Sequence, residues 1–341
     1  MQPEISSKGR VAAVANDEMQ SYTRDESMPG VSQQLKVAVL IPCYNEGKAI
    51  RQVVEDFRRA LPSARIYVYD NNSQDDTVAV AREAGAVVRR EGLQGKGNVV
   101  RRMFSDVEAD VYLLCDGDAT YDALAAGKLV EALQAEQLDM VVGRRVATAS
   151  VAAYRRGHRL GNWLLTGVLG LIFGHRFTDV LSGYRGFSRR FVKSFPALSS
   201  GFDIEVELTI HALELGLPTA EVDTQYGERP EGSESKLHTY SDGLRILVRI
   251  INLFRMEKPL PFFSIVAGLL AIVSLGLAYP LLMTFLETGL VPRLPTAILS
   301  ASLMILSFLS LISGLILDTV TRGRREMRRL HYLSIPLERG E

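Results

Sequence analysis

The hydrophobic positions of this chain change period again and again. KVAVLIP, at 36–42, is an apolar, β-rich run, and in the KAIRQVVEDFRRALP that follows, Ile50, Val53, Val54, Phe57 and Leu61 recur at helical spacing. The alternation continues with IYVYD as a strand, DTVAVAREAG as a helix closed by Gly85, and AVVRR as a strand. GNVVRRMFSDV then reads as a helix, VYLLCD as a buried strand, AAGKLVEALQAEQ as a helix and DMVVG as a fifth strand. Repeated strand-helix units predict an α/β domain with a mainly parallel sheet and helices on both faces. Ligands of such sheets bind beyond the carboxyl ends of the strands.

From Pro259 the pattern loses its polar face. No charge occurs between Lys258 and Glu287, or again between Arg293 and Asp318, and each run exceeds the ~20 apolar residues that a transmembrane helix needs. Two spans are therefore expected, at about 260–286 and 294–318, within a membrane part over 259–320. Arg245, Arg249, Arg255 and Lys258 precede the first span, Arg322, Arg324, Arg325, Arg328 and Arg329 follow the second, and only Arg293 lies between them. This bias places both ends in the cytoplasm, which makes the chain a multi-pass protein of the cytoplasmic membrane. Residues 239–258 space their apolar positions as an interfacial amphipathic helix, and 321–341 read as a basic cytoplasmic tail. Residues 1–34 are polar and irregular, lack the apolar core of a signal peptide and read as a disordered tail, which leaves 35–238 as the folded cytoplasmic domain.

Composition narrows the possible chemistry. The 341 residues carry 39 Lys and Arg against 39 Asp and Glu, so no global basic excess points to nucleic acid. Cys43 and Cys115 each sit in an apolar strand, outside any CxxC or His-paired spacing, which argues against a disulfide framework or a zinc site.

Polar residues gather after the strands: Pro42, Tyr44, Asn45 and Glu46 after the first; Asp70, Asn71, Asn72, Ser73 and Asp75 after the second; Asp116, Gly117 and Asp118 after the fourth. Ser73 and Asp75 have an ordinary reading as turn or capping residues. The Asp116-Gly117-Asp118 triplet resists that reading, because two carboxylates at the rim of a core repel unless something positive lies near. Mg²⁺ or Mn²⁺ fits, since such cations take one or two carboxylates and complete their shell with water and substrate phosphates. Charge is also segregated: Asp106 to Asp139 is acidic but for Lys128, and Arg144 to Lys193 is basic but for Asp179. An acidic edge followed by an arginine-rich segment suits two phosphate-bearing reactants, one of them an anionic lipid.

Five motifs then carry a resemblance: IPCYNE at 41–46, YDNNSQDDT at 69–77, GKGNVVR at 95–101, DGD at 116–118 and SGYRGFSRR at 182–190. In this order they resemble family 2 glycosyltransferases of the GT-A fold, a Rossmann-like architecture. The branch is that of dolichyl-phosphate mannose synthase and the bacterial polyprenyl-phosphate glycosyltransferases. The resemblance spans residues 36–240, and the two C-terminal spans are similar to those of membrane-anchored members. It implies inverting transfer of a sugar from a nucleotide-diphosphate sugar to a polyprenyl phosphate, undecaprenyl or dolichyl, at the membrane face. By this resemblance Pro42, Tyr44, Glu46 and Asp70 hold base and ribose, Lys96 and Asp116 meet the nucleotide, and Asp116 and Asp118 form the metal-binding pair. Arg144, Arg185, Arg229 and Lys236 become candidates for the acceptor phosphate, and Arg185, Asp203 and Glu205 for catalytic positions beside Asp116 and Asp118. The chain departs from the family at Asp70-Asn71, where many members carry two aspartates. The QxxRW motif of processive relatives is also missing, its place being taken by QYGERP at 225–230. A hydroxyl-bearing lipid or glycan is the alternative acceptor, and it would need a general base, supplied by Asp203 or Glu205. Homo-oligomers are compatible with two spans, although neither carries GxxxG.

Overall fold

The computed structural model describes residues 35–147, 166–167, 169–170, 173–174, 177–199, 201, 204–227 and 251–336. The five expected strands form as β1 (Val37–Cys43), β2 (Arg65–Asp70), β3 (Val87–Arg90), β4 (Val111–Leu114) and β5 (Met140–Ala147). The four expected helices form as α1 (Ile50–Ala60), α2 (Thr77–Glu83), α3 (Lys96–Asp106) and α4 (Ala126–Ala135). Beyond them the chain adds β6 (Arg185–Ser188), α5 (Arg189–Ser194), α6 (Ile204–Leu215) and β7 (Thr219–Tyr226). The seven strands make one sheet in the order β3-β2-β1-β4-β6-β5-β7. Among the described strands only β6 is antiparallel to its neighbours, and the other strand pairs are parallel.

Strand periodicity divides the core into two layers. On β1, Ala38 and Leu40 face one layer while Val37, Val39, Ile41 and Cys43 face the other; on β4, Tyr112 and Leu114 oppose Val111 and Leu113 in the same way. α3, α5 and α6 cover the first layer with Val99, Met103, Phe104, Phe191 and Leu208. α1, α2 and α4 cover the second with Ile50, Val54, Phe57, Ala81 and Leu129. A sheet covered on both faces leaves its strand ends as the exposed edge available to polar groups. Cys43 and Cys115 are buried free thiols, as their apolar surroundings predict.

Two helices long and apolar enough to cross a bilayer follow: α7 (Pro259–Thr288) and α8 (Leu294–Ser334). They pack along a seam of small residues. On α8 the buried positions are Ser300, Ser307, Gly314 and Thr321, one every seven residues, and on α7 they include Ala267 and Ser274. Heptad spacing keeps a seam facing its partner along a helix pair. Small residues let the backbones approach, and hydroxyls bridge them: Ser274 Oγ donates to Ser300 O at 2.7 Å, Ser300 Oγ to Ser274 O at 2.9 Å and Ser307 Oγ to Ala267 O at 2.8 Å. Leu269, Ile272, Leu282, Ile305, Phe308 and Ile316 point outward from this pair.

The expected basic tail from 321 is corrected in part. α8 continues unbroken to Ser334 and docks on the sheet domain. Arg325 Nε and Arg328 Nη1 both donate to the fully buried Glu214 side chain at the end of α6, Arg325 Nη2 donates to Glu257 O at 2.8 Å, and Tyr332 Oη donates to Asp139 Oδ2 at 2.7 Å. Arginines that read as a solvated flank are thus spent on buried acids. Residues 251–257 form a helix, while residues 239–250 of the expected amphipathic segment and the 1–34 tail lie outside the described residues.

Next to this dock, His211 of α6 is buried against the Phe191 and Phe195 rings, with Nε2 3.1 Å from Ser194 Oγ. Burial, reinforced by the nearby Arg328 charge, pulls its pKa down from 6.5 to about 4. Above pH ~6.5 folded and unfolded chains both hold it neutral; between pH ~6.5 and ~4 only the unfolded chain takes the proton. Stability should therefore fall by about 3 kcal/mol across that window. His211→Gln should flatten the acid limb of the melting temperature in detergent, and an equally steep limb in the variant would remove His211 as its cause.

Candidate active site

The polar edge is built by three loops at the carboxyl ends of β1, β2 and β4. Each contains a non-glycine residue at positive φ: Asn45 at 54°, Asn72 at 66° and Ala119 at 58°. Such conformations persist only where surrounding contacts over-determine them, and they cluster at functional sites. The first two loops are latched together. Asn45 N donates to Ser73 Oγ at 2.9 Å, Glu46 N to Thr77 Oγ1 at 2.9 Å, Gly47 N to Asp75 Oδ2 at 3.0 Å and Gln74 N to Asn45 Oδ1 at 2.8 Å. Burial opposes ionisation of Asp75, but hydrogen bonds from Thr77 and Gly47 outweigh it and hold the carboxyl below its usual range. Ser73 and Asp75 thus have the ordinary turn role that their sequence allowed.

Of the residues expected at the nucleotide, Pro42 pairs with Tyr69 and Cys43 with Asp70 in the β1–β2 register, so Asp70 closes the second strand beside the first loop. Asp70 is buried and accepts Ser73 N at 3.2 Å. Tyr44 and Glu46 are half-buried in the first loop. Asn71, also buried, reaches across to the segment that leads into α3.

Lys96 begins α3 and lies in the centre. Its side chain is 8% exposed, and Nζ donates to Asp116 Oδ1 and to Glu205 Oε1. Burial alone would lower this ammonium; the two carboxylates outweigh it and raise the pKa above its ordinary value. Asp116 is the more open of the pair after β4, and Asp118 is buried, with Oδ1 accepting Thr120 Oγ1 at 2.6 Å and Thr120 N at 3.2 Å. Gly183 of the SGYRGF segment closes over them: a Cβ there would stand 2.5 Å from Asp116 Oδ2 and 3.2 Å from Lys96 Nζ. Its N–H donates to Tyr121 Oη at 2.9 Å. Burial pushes the Tyr121 hydroxyl well above its usual range.

The basic residues fall out differently from expectation. Arg144 pairs with the exposed Asp223 of β7 at 2.6 and 2.8 Å, and its side chain is 43% exposed. Arg145, one residue on and hence on the other face of β5, makes two 2.7 Å bonds to Asp179 and lies 5.6 Å from the Tyr226 ring, which stacks edge-on with Tyr121. Arg185 corrects the expectation outright. It is fully buried; Nε donates to Ser182 O at 2.8 Å, Nη1 to Thr209 Oγ1 at 2.9 Å and Nη2 to Val180 O at 2.5 Å. Burial pulls its pKa down to about 10, so it stays charged while bracing the turn before β6 instead of presenting itself to a phosphate. Asp203, Arg229 and Lys236 lie outside the described residues.

The structure therefore brings together Asp116, Asp118, Lys96 and Glu205, and adds Thr120, Tyr121, Arg145, Asp179 and Gly183 around them. The period of two along β5 separates Arg144 from Arg145 in the sequence already; only the fold tells which face meets the edge. Among the described residues no three His, Cys, Asp or Glu side chains converge as a closed metal cage. The edge thus offers one or two carboxylates and a buried cation, a donor set suited to an anion-bearing substrate.

The family model for glycosyl transferase family 2 matches residues 38–195. Glycosyltransferase AglJ of Haloferax volcanii is 32% identical over 299 residues, which are 87% of this chain and 98% of that protein. A dolichyl-phosphate hexose transferase of the same organism is 27% identical over 222 residues, covering 65% of this chain and 95% of that one. Among solved structures, glucosyl-3-phosphoglycerate synthase from Mycobacterium tuberculosis, in complex with Mn²⁺, UDP and phosphoglyceric acid, superposes with a TM-score of 0.50 at 23% identity. That match covers 64% of this chain and 78% of that one. Agreement of sheet, edge motifs and near-full-length similarity has one meaning: the chain belongs to glycosyl transferase family 2 and is a hexosyltransferase with two candidate membrane spans.

Proposed function

We propose that this enzyme transfers a hexose, with inversion, from a nucleotide-diphosphate sugar to the phosphate of a polyprenyl lipid at the cytoplasmic face of the membrane. The observation that carries the acceptor is the state of Glu205. Its carboxylate is bonded to the Lys96 ammonium in a buried pair, which leaves that oxygen engaged and not open to an acceptor hydroxyl. A hydroxyl acceptor needs a base; a phosphate monoester, with its second pKa near ~6, is largely dianionic at neutral pH and needs none. The relative named for dolichyl-phosphate hexose transfer supports the same class of acceptor. The apolar α7 and α8 support a substrate that stays in the bilayer, because holding enzyme and lipid in one membrane raises their effective concentration without new contacts. The arginine bias of their flanks supports a cytoplasmic domain.

For the donor, Pro42, Tyr44, Glu46 and Asp70 line the nucleotide side of the edge, and Asp116 and Asp118 face its diphosphate. Their donor set fits Mg²⁺ or Mn²⁺: Thr120 fixes the direction of Asp118, Asp116 is partly open, and the remaining positions fall to water and phosphate oxygens. The Mn²⁺ and UDP of the mycobacterial structure support this donor chemistry. When bound, the cation would stabilise charge developing on the leaving diphosphate. For the acceptor phosphate we assign Arg145, which lies over the Tyr226 ring that packs on Tyr121, in preference to Arg144.

Incubation of detergent-purified protein with Mg²⁺ or Mn²⁺, undecaprenyl phosphate and UDP- and GDP-sugars should give a sugar-phosphate-lipid by mass spectrometry. Turnover only on a hydroxyl lipid would reject the acceptor. Asp118→Asn should reduce transfer at least about a hundredfold at an unchanged melting temperature; near-normal turnover in the folded variant would exclude Asp118 from the site. Arg145→Lys, which loses the planar fork, should raise KM for the lipid about tenfold. Arg144→Ala should change it little, since an exposed ion pair is worth ~0–1 kcal/mol, and the reverse order would return the phosphate to Arg144.

A further inference from the structure

Asn71 follows β2 on the polar edge, and the structure gives this asparagine work that a carboxylate cannot do. Asn71 Nδ2 donates to Glu91 O at 3.0 Å and to Leu93 O at 2.8 Å, while Oδ1 accepts Gly95 N at 2.7 Å. Three of the four hydrogen-bonding positions of the amide are thereby used on one five-residue segment. That segment ends at Gly95, whose φ of 127° only glycine adopts readily, and the next residue is Lys96. α3 has no side-chain cap of its own at this end. The conformation of its first turn, and so the launch point of the Lys96 side chain, is set from β2 through Asn71. An aspartate here would only accept hydrogen bonds, and it would face two carbonyl oxygens at the distances now occupied by N–H groups.

We propose that Asn71 is a positioning residue for hexosyl transfer: its amide fixes the 91–95 segment so that the Lys96 ammonium stands between Asp116 and Glu205. Lys96 keeps these two carboxylates from repelling each other at the edge, and the backbone of Gly183 runs so close that a Cβ there would stand 2.5 Å from Asp116 Oδ2. Loss of the amide lets the helix start drift and uncouples the ammonium from its two partners. The proposal rests on the transfer reaction proposed above, and it also has a consequence that needs no substrate.

The substrate-free measurement is acetylation of Lys96 in the full-length, detergent-purified protein with an amine-reactive acetylating reagent, followed by mass spectrometry of the peptide. The buried ammonium should be protected in the wild type. In Asn71→Asp it should label about tenfold faster or more, and in Asn71→Ser, which retains one donor, at an intermediate rate. Equal labelling in a folded Asn71 variant overturns the proposal. The second measurement is a double-mutant cycle on kcat/KM for the nucleotide sugar. Asn71→Asp and Lys96→Met should each cost about 10–100-fold, and Asn71→Asp made in the Lys96→Met background should cost less than about twofold more. Multiplying effects would mean that Asn71 acts independently of Lys96, which rejects the proposal. Glu205→Gln should restore part of the activity of Lys96→Met, because it removes one of the two facing charges. A wild type without transferase activity would refute the proposed reaction alone, and the labelling result would still decide the role of Asn71.

Discussion

One ammonium group holds the candidate site together. Lys96 Nζ lies where the start of α3, the end of β4 and the start of α6 meet, and it joins Asp116 to Glu205. Burying Lys96 and Glu205, with Asp116 left partly exposed, costs several kcal/mol per buried ion, and attraction offsets that cost only when the geometry is held closely. The edge is built for such holding. The latched loops fix β1 against β2, Asn71 fixes the segment before α3, Thr120 fixes Asp118, and Gly183 closes the space beside Asp116. A partly satisfied network of this kind would be worse than none, so the surrounding loops have little freedom to vary without loss of the site.

α6 extends this constraint toward the membrane. Glu205 at its first turn meets Lys96, and Glu214 near its last turn is the buried acid that receives Arg325 and Arg328 of α8. Nine residues separate them, about 14 Å along a helix axis. The same short helix is therefore anchored at one end in the site and at the other to the long helix that continues the second candidate span. A single helix held at both ends leaves the sheet domain no free hinge at this point. It also explains polar residues on a helix whose pattern shows no clear apolar face: Glu205, Thr209 and His211 are all buried.

The legible parts of the sequence were those in which one side chain follows from the next. Period-two and helical spacing carried the five parallel strands, the four helices between them and both apolar spans, and the strand-end rule placed Asp70, Asp116 and Asp118 on one edge. What stayed hidden depended on partners distant in sequence. β6 is short and begins with Arg185, a charged residue with no exposed surface, so no hydrophobic pattern marks it as a central strand. Arg144 and Arg145 are alike in sequence and differ only in which face of β5 meets Tyr121. The arginines after Asp318 look like a solvated flank until Glu214, more than a hundred residues earlier, is seen beneath them. Position 71 could be marked as a departure, but its meaning required the carbonyls of Glu91 and Leu93.

The membrane part obeys a different rule from the sheet domain, and the contrast explains its form. In the sheet domain large apolar residues point inward and small ones are incidental; in the helix pair the buried positions beyond Pro259 are serine, alanine, glycine and threonine, and large aliphatic residues point out. Lipid tails are as apolar as leucine, so burying leucine between helices gains nothing there, whereas close backbone approach and hydroxyl bridges do contribute. The pattern inverts at Asp318, after which α8 again turns charged residues toward buried acids in the sheet domain. One helix thus carries two kinds of surface along its length: an apolar half suited to lipid and a charged half seated on the sheet domain, with no break between them.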